Sequence, residues 1–182
     1  EEINKYVKIV IAPKESINIS LDKETLLKKA KSIEIKIPIT YRYNSYKEFK
    51  NNLSGINFPV ISKSREETSK QEVRYFNNSQ NLDAFMKGNK YIKDTLIQQK
   101  ISGSGIGFFA YYKDGILIKF FIHKRIREIP LEGGSSSFAK SYFDKRAYFY
   151  GKKLLDHLNW NGIAMVEFKN NKLDKELYLM EL

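Results

Sequence analysis

Two carboxylates sit in the last two apolar runs of the chain. Glu167 lies in "IAMVEF" and Glu181 in "LYLMEL", with the polar, turn-like "KNNKLDKE" between them. Side chains alternate along a strand, so Ile163, Met165 and Glu167 share one face, as do Leu177, Leu179 and Glu181. An even-sum antiparallel register then sets the two acids opposite or diagonal to each other, about 5 to 8 Å apart. Carboxylates that close repel unless a cation lies between them. Mg²⁺ takes one or two carboxylates together with phosphate oxygens. The alternative is that each glutamate pairs with a lysine or faces water.

A second stretch carries the opposite charge. In Ile116 to Ile129 the even positions Ile116, Ile118, Phe120, Ile122 and Ile126 are expected to be core. His123, Arg125 and Arg127 then share the odd face. Three potential cations on one side of a strand make an anion-facing wall, or else a solvated charged face. "GGSSS" follows, read as a loop whose backbone could approach a ligand closely. Lys63 ends the apolar "FPVISKS", where an ammonium could serve as a point charge for phosphate or stand as an ordinary surface lysine.

The elements that must hold these groups read as a mixture. "SLDKETLLKKAKSI" spaces Leu21, Leu26, Leu27 and Ala30 on a helical period, with Asp22 near its start. "IKIPITYRY" looks like a strand with Pro38 at its edge. Ser45 caps a polar helix to Leu53. "FPVISKS" and "EVRYF" are strands, and Ser79 caps a helix that ends at Gly88. From "TLIQQKI" onward the chain turns to β-structure. The "KDG" at Lys113 to Gly115 signals a hairpin. A helix is expected from Ser141 to Leu158, with Phe143, Ala147, Tyr150, Leu154, Leu155 and Leu158 on one face. The order is α+β.

Bulk composition limits the classes. The 182 residues are 42% hydrophobic, enough to bury a core, and carry no cysteine, which excludes a disulfide scaffold and a cysteine-based zinc site. No signal-peptide pattern opens the chain, and its longest apolar stretch is too short to cross a bilayer. The expectation is a cytoplasmic protein with no membrane partner. The net charge of +11 suits an anionic partner, or reflects an AT-rich genome, since the lysines are scattered. The 12 Tyr and 12 Phe leave open a nucleic-acid-binding module that stacks bases. That reading does not account for the two strand acids, so nucleic acid is the less favoured partner.

Together these residues resemble the ATP-grasp superfamily, in particular its carbamoyl-phosphate-synthase-like carboxylate–amine ligases, from about Ile11 to Leu182. "FPVISKS" resembles the strand with the phosphate-binding lysine. "LIQQKISGSGIGFFAYYKDG" is similar to the segment that holds the adenine. "FIHKRIREIPLEGGSSS" resembles the basic strand and Gly/Ser loop, and "LNWNGIAMVEFK" with "LYLMEL" the two metal-binding strands. The resemblance implies two lobes, residues 36–90 and 91–182, after a leading segment 1–35, with ATP between them. It also implies a piece of a longer protein, lacking an N-terminal domain and an Asn that the family places just after Leu182.

The implied activity joins a carboxylate to an amine through an acyl-phosphate, using ATP and Mg²⁺. Lys23 and Lys63 would hold phosphates, with His123 on the same nucleotide-binding wall. Gln99 and the Ile101 backbone would face the adenine, and Ser104 stands where the family has a ribose-binding acid. Arg125 or Arg127 would steady the transferring phosphoryl group, and Glu167 and Glu181 would hold the metal. The segment "SREETSKQE" departs from the family, whose phosphate-covering loop is Gly-rich. It has no glycine and three acids, Glu66, Glu67 and Glu72. A nucleotide-binding domain that has lost catalysis is the alternative this loop suits.

Overall fold

Alternating apolar residues and tight turns fold the chain into two antiparallel sheets, seen in a computed structural model that describes residues 6, 7, 9–66, 72–129 and 135–182. The first sheet holds β1 (Thr40–Arg42), β2 (Val60–Ser64), β3 (Arg74–Phe76) and β4 (Thr95–Gln99) in the order β1-β4-β2-β3. The second holds β5 (Gly103–Lys113), β6 (Ile116–Ile129), β7 (Ser135–Ser141), β8 (Gly162–Asn171) and β9 (Leu177–Glu181) in the order β7-β6-β5-β8-β9. Residues 100–102 run straight from β4 into β5. The class is α+β, as the order of elements predicts.

Each sheet has its own core. Helices α3 (Tyr46–Asn52) and α4 (Ser79–Gly88) cover the four-stranded sheet, where Phe49, Leu82 and Met86 pack with Val60, Phe76 and Ile97. Helices α1 (Lys14–Leu21), α2 (Lys23–Ser32) and α5 (Lys145–His157) share the other core, in which Leu26, Leu154 and Leu155 join Phe108, Val166 and Phe168. Caps behave as polar side chains at helix starts should. Ser45 accepts from the Glu48 amide, and Asp22 accepts from the Thr25 amide at the start of α2. The hairpin turn at Asp114 and Gly115 has positive φ at both residues, 52° and 76°. This is the two-residue geometry that matches strand twist.

Four expectations are corrected. The cap of α4 is Asn78, not Ser79. The long helix starts at Lys145 behind the capping Asp144, because Ser141 still pairs with His123 as the last residue of β7. Ser135 to Ser137 likewise belong to β7 rather than to a loop, while Gly133 and Gly134 lie outside the described residues. The even positions of β6 are mostly not core. Ile122 is buried, but Ile116, Ile118, Phe120 and Ile126 are exposed. The cause is bulging of β6: Ile118 is extra against β5, so Leu117, opposite the buried Tyr112, takes the core side in place of Ile116 and Ile118, and Ile126 is extra against β7. Phe120 lies under α5, its ring 4.8 Å from that of Tyr148, while Gly151 lets the helix press on the Phe108 ring of β5.

Candidate active site

A cleft of about 490 Å³ opens between the two sheets. Ile61 and Lys63 of β2, Val73 and Tyr75 at β3, and Gln98 and Gln99 of β4 line one side. Arg125 and Glu128 of β6, Glu167 and Lys169 of β8, and Met180 and Glu181 of β9 line the other. The link from Lys100 to Ser102 closes one end, with Lys172 beside it. Cations (Lys63, Lys100, Arg125, Lys169 and Lys172) outnumber the carboxylates Glu128, Glu167 and Glu181. The cleft therefore favours an anion with room for a cation among the acids.

The two carboxylates meet through an irregularity. Asn170, Lys169 and Phe168 pair in step with Leu177, Tyr178 and Leu179, but the partner of Glu167 is Glu181. Met180 is the extra residue of a β-bulge. Without it Glu181 would turn to the other face. Cβ atoms of directly opposite residues stand about 4.5–5.5 Å apart. Burial pushes the Glu167 carboxyl above its ordinary value; Arg125 pulls it back, and the charges of Glu181 and Glu128 add to the rise. Glu181 also has the Lys23 ammonium at 4.0 Å.

The same row of the sheet runs from His123 through Gly107 to Glu167 and Glu181. Gly103, Gly105 and Gly107 alternate along β5, so the centre of this face has no side chains. Cβ atoms built on Gly105 and Gly107 would lie 2.8 Å from Arg125 Cδ and 2.6 Å from His123 Nε2. Both side chains thus lie across bare backbone, which only glycine permits here. Arg125 donates from Nη2 to Glu167 Oε2. Burial, then the Arg125 charge, lowers the His123 pKa, and its Nε2 is buried without a partner among the described residues.

The predicted residues divide accordingly. Lys63, Gln99, Ile101, Arg125, Glu167 and Glu181 line the cleft. Lys23 is buried at the start of α2 beside Glu181, outside the lining, and His123 reaches the site only along its row. Arg127 does not take part. Ile126 is extra against β7, which reverses the alternation, so Arg127 is exposed and Glu128 joins Arg125 on the cleft side. Ser104 pairs with Asn170 and takes the strand side opposite Gly103 and Gly105, so it does not line the cleft. Glu67 falls outside the described residues.

Sequence reasoning missed Glu128 and Gln98. The Gln98 Nε2 donates to Thr40 Oγ1 at 2.9 Å, leaving its Oε1 buried and unpartnered among the described residues at the cleft wall. Gln99 instead accepts from the Ile39 amide at 3.4 Å. The glycine alternation "SGSGIG" was the available signal for the floor; no pattern announces the bulge that brings in Glu128.

The donor set fits a hard cation. Among the described residues no cluster of three or more His, Cys, Asp or Glu side chains forms a metal cage. Two facing carboxylates suit an ion that takes its other oxygens from phosphate or water.

No protein-family model and no curated protein matches the sequence. Solved structures do match in three dimensions. D-alanyl-alanine synthetase A from Vibrio cholerae superposes with a TM-score of 0.75 at 13% identity, over 94% of this chain and 57% of that one. D-alanine–D-alanine ligase from Bacillus anthracis complexed with ATP gives 0.72 at 14%, over 99% and 61%. The ATP-grasp ligase PsnB complexed with a minimal precursor gives 0.69 at 10%, over 98% and 57%. The chain spans about half the length of the structures it matches. In its two antiparallel sheets, the cleft between them and its likeness to these proteins, this chain has the ATP-grasp fold.

Proposed function

We propose that the cleft binds ATP with Mg²⁺ and belongs to a ligase that joins a carboxylate to an amine. The observation that carries this reading is Glu167 facing Glu181 in a cleft whose cations outnumber its carboxylates. Lys63, with Lys23 behind Glu181, neutralises phosphate charge. Gln98, whose Oε1 has no hydrogen-bond partner among the described residues, would accept from an exocyclic amino group of the base, a role the sequence had assigned to Gln99. Glu167 and Glu181 would hold Mg²⁺, which supplies Lewis-acid neutralisation of the phosphate oxygens.

In the reaction so proposed, a substrate carboxylate oxygen attacks the γ-phosphorus, the bond to the β-phosphate oxygen breaks, and ADP leaves. The amine then attacks the carbonyl carbon of the acyl-phosphate, a proton departs from nitrogen, and inorganic phosphate leaves. Neither step calls on a nucleophile from the chain. Its contribution is to position the groups and to place charge where charge develops. Arg125 is the cleft cation best set to steady the moving phosphoryl group. Use of ATP suits a cytoplasmic setting, and no described helix is long and apolar enough to cross a membrane.

The test is calorimetry of the full-length protein with ATP, with and without Mg²⁺, followed by phosphate release in the presence of mixed amino acids. Mg²⁺-dependent ATP binding that is lost in Glu167→Gln is expected. Failure to bind ATP under any cation condition would remove the proposal, and salt-sensitive binding of nucleic acid in its place would favour a nucleic-acid module.

A further inference from the structure

We infer that Glu128 is a positioning residue that keeps the Arg125 guanidinium in the cleft when Glu167 turns from arginine to a cation. The inference rests on reading the cleft as a cation–nucleotide site, but its central observation does not. Arg125 bridges two carboxylates. Its Nη2 donates to Glu167, and its Nη1 lies 3.8 Å from Glu128 Oε1. All three side chains are only 13% exposed.

Glu167 cannot give its full charge to both an arginine and a divalent ion. Once it engages a cation, Arg125 loses one counter-charge and gains a repelling neighbour. A guanidinium left buried and unpaired would move to solvent. A second carboxylate three residues along the same strand prevents that.

Two features of the backbone serve this pair. The bulge at Ile126 turns Glu128 to the cleft side; in a regular strand Arg127 would take that place and set a like charge beside Arg125. Gly105 leaves the room. A Cβ there would lie 2.8 Å from Arg125 Cδ and 3.2 Å from Glu128 Oε1.

The Arg125 Nε–H reports on this arrangement directly, because it is buried and lacks a hydrogen-bond partner among the described residues. Its exchange with solvent therefore measures whether the side chain stays in the cleft. In the full-length protein without nucleotide or metal, Glu167→Gln should leave the Arg125 Nε–H signal as slow to exchange as in wild type. Glu128→Gln combined with Glu167→Gln should raise it to the rate of the solvent-exposed arginines in the same sample. Release by Glu167→Gln alone, or full protection in the double variant, would overturn the inference. If the double variant does not fold, Glu128→Asp in the Glu167→Gln background must show an intermediate rate.

In turnover, Glu128→Gln should lower kcat by about 10- to 100-fold, the scale for losing a group that orients a ligand-binding side chain, with little change in KM for ATP. Glu128→Asp should restore part of the loss, and an unchanged kcat would sink the positioning role. An enzyme that neither binds nor turns over ATP would defeat the functional reading alone, since the exchange result decides the fate of Glu128 without it.

Discussion

Two arginine–carboxylate pairs in this molecule use the same chemistry and end in opposite electrostatic states. At the start of α2, Arg65 pairs with Asp22; on the face of the five-stranded sheet, Arg125 pairs with Glu167. Burial by itself would raise the Asp22 pKa, but hydrogen bonds from Arg65 and the Thr25 amide and the Arg65 charge outweigh it, and the carboxyl stays below its ordinary value. Burial of Glu167 is deeper, and Glu181 and Glu128 add negative charge, so its pKa rises despite Arg125. Asp22 is satisfied by its own surroundings. It caps α2 and ties it to the end of β2, where the Lys23 amide also donates to the Arg65 carbonyl at 3.0 Å. Glu167 sits where burial and its neighbours resist its charge, which a cation held as proposed above would relieve.

The largest test of that contrast is turnover in the full-length protein. Glu167→Gln should cut Mg²⁺-dependent ATP turnover by about two to three orders of magnitude, the scale of losing one group that stabilises transition-state charge. Asp22→Asn, which keeps a capping oxygen, should stay within a few-fold of wild type. Comparable losses in steady-state assays of the two variants would erase the distinction between them.

Next in size is the glycine floor. Gly105→Ala should destabilise the fold by about 1–3 kcal/mol, the usual range for overpacking, and should slow turnover by moving Arg125. Gly88→Ala is the control, since nothing lies within 4 Å of a Cβ there. Urea denaturation compares the two, and equal midpoints would mean that Arg125 does not need the bare backbone. Smaller again is Asp22→Ala, which removes the cap as well as the charge. A loss of about 1–2 kcal/mol in the same experiment is expected.

Much of this contrast could be read from the sequence, and the unread part has one physical cause. Lys63 at the end of β2, the Ser45 cap and the Asp114–Gly115 turn follow from local rules, because in an unbroken strand or a single turn the residue itself decides its direction. Glu167 and Glu181 were also expected on one face, yet they meet only because Met180 bulges out of β9. At Ile126 the same kind of irregularity works against the alternation and exchanges Arg127 for Glu128. A bulge is decided by pairing with a neighbouring strand, so no window of one strand reveals it. The exposed Ile116 and Ile118 have the same origin: Ile118 is extra against β5, and Leu117 takes the core side opposite Tyr112.

The smallest and most discriminating expectation is the pH dependence of stability without ligands. The folded-state pKa of Asp22 is depressed. Its contribution is therefore present above the ordinary carboxylate value, about 4, and is lost as pH falls through the depressed one. The difference in Tm between wild type and Asp22→Asn should shrink as the solution is acidified below that value. Glu167 is raised, so the sign reverses. Its contribution is complete below the ordinary value and is lost as pH rises through the raised one. Glutamine mimics the protonated form and cannot ionise, so Glu167→Gln should gain on wild type as pH climbs from about 4 towards neutrality. The two difference curves should slope in opposite senses when melts are followed by circular dichroism. Curves of the same slope would show that the two carboxylates sit in equivalent fields. ATP with Mg²⁺ should then flatten the Glu167 curve and leave the Asp22 curve as it was, because a cation beside Glu167 favours its charged form and Asp22 already has its partner.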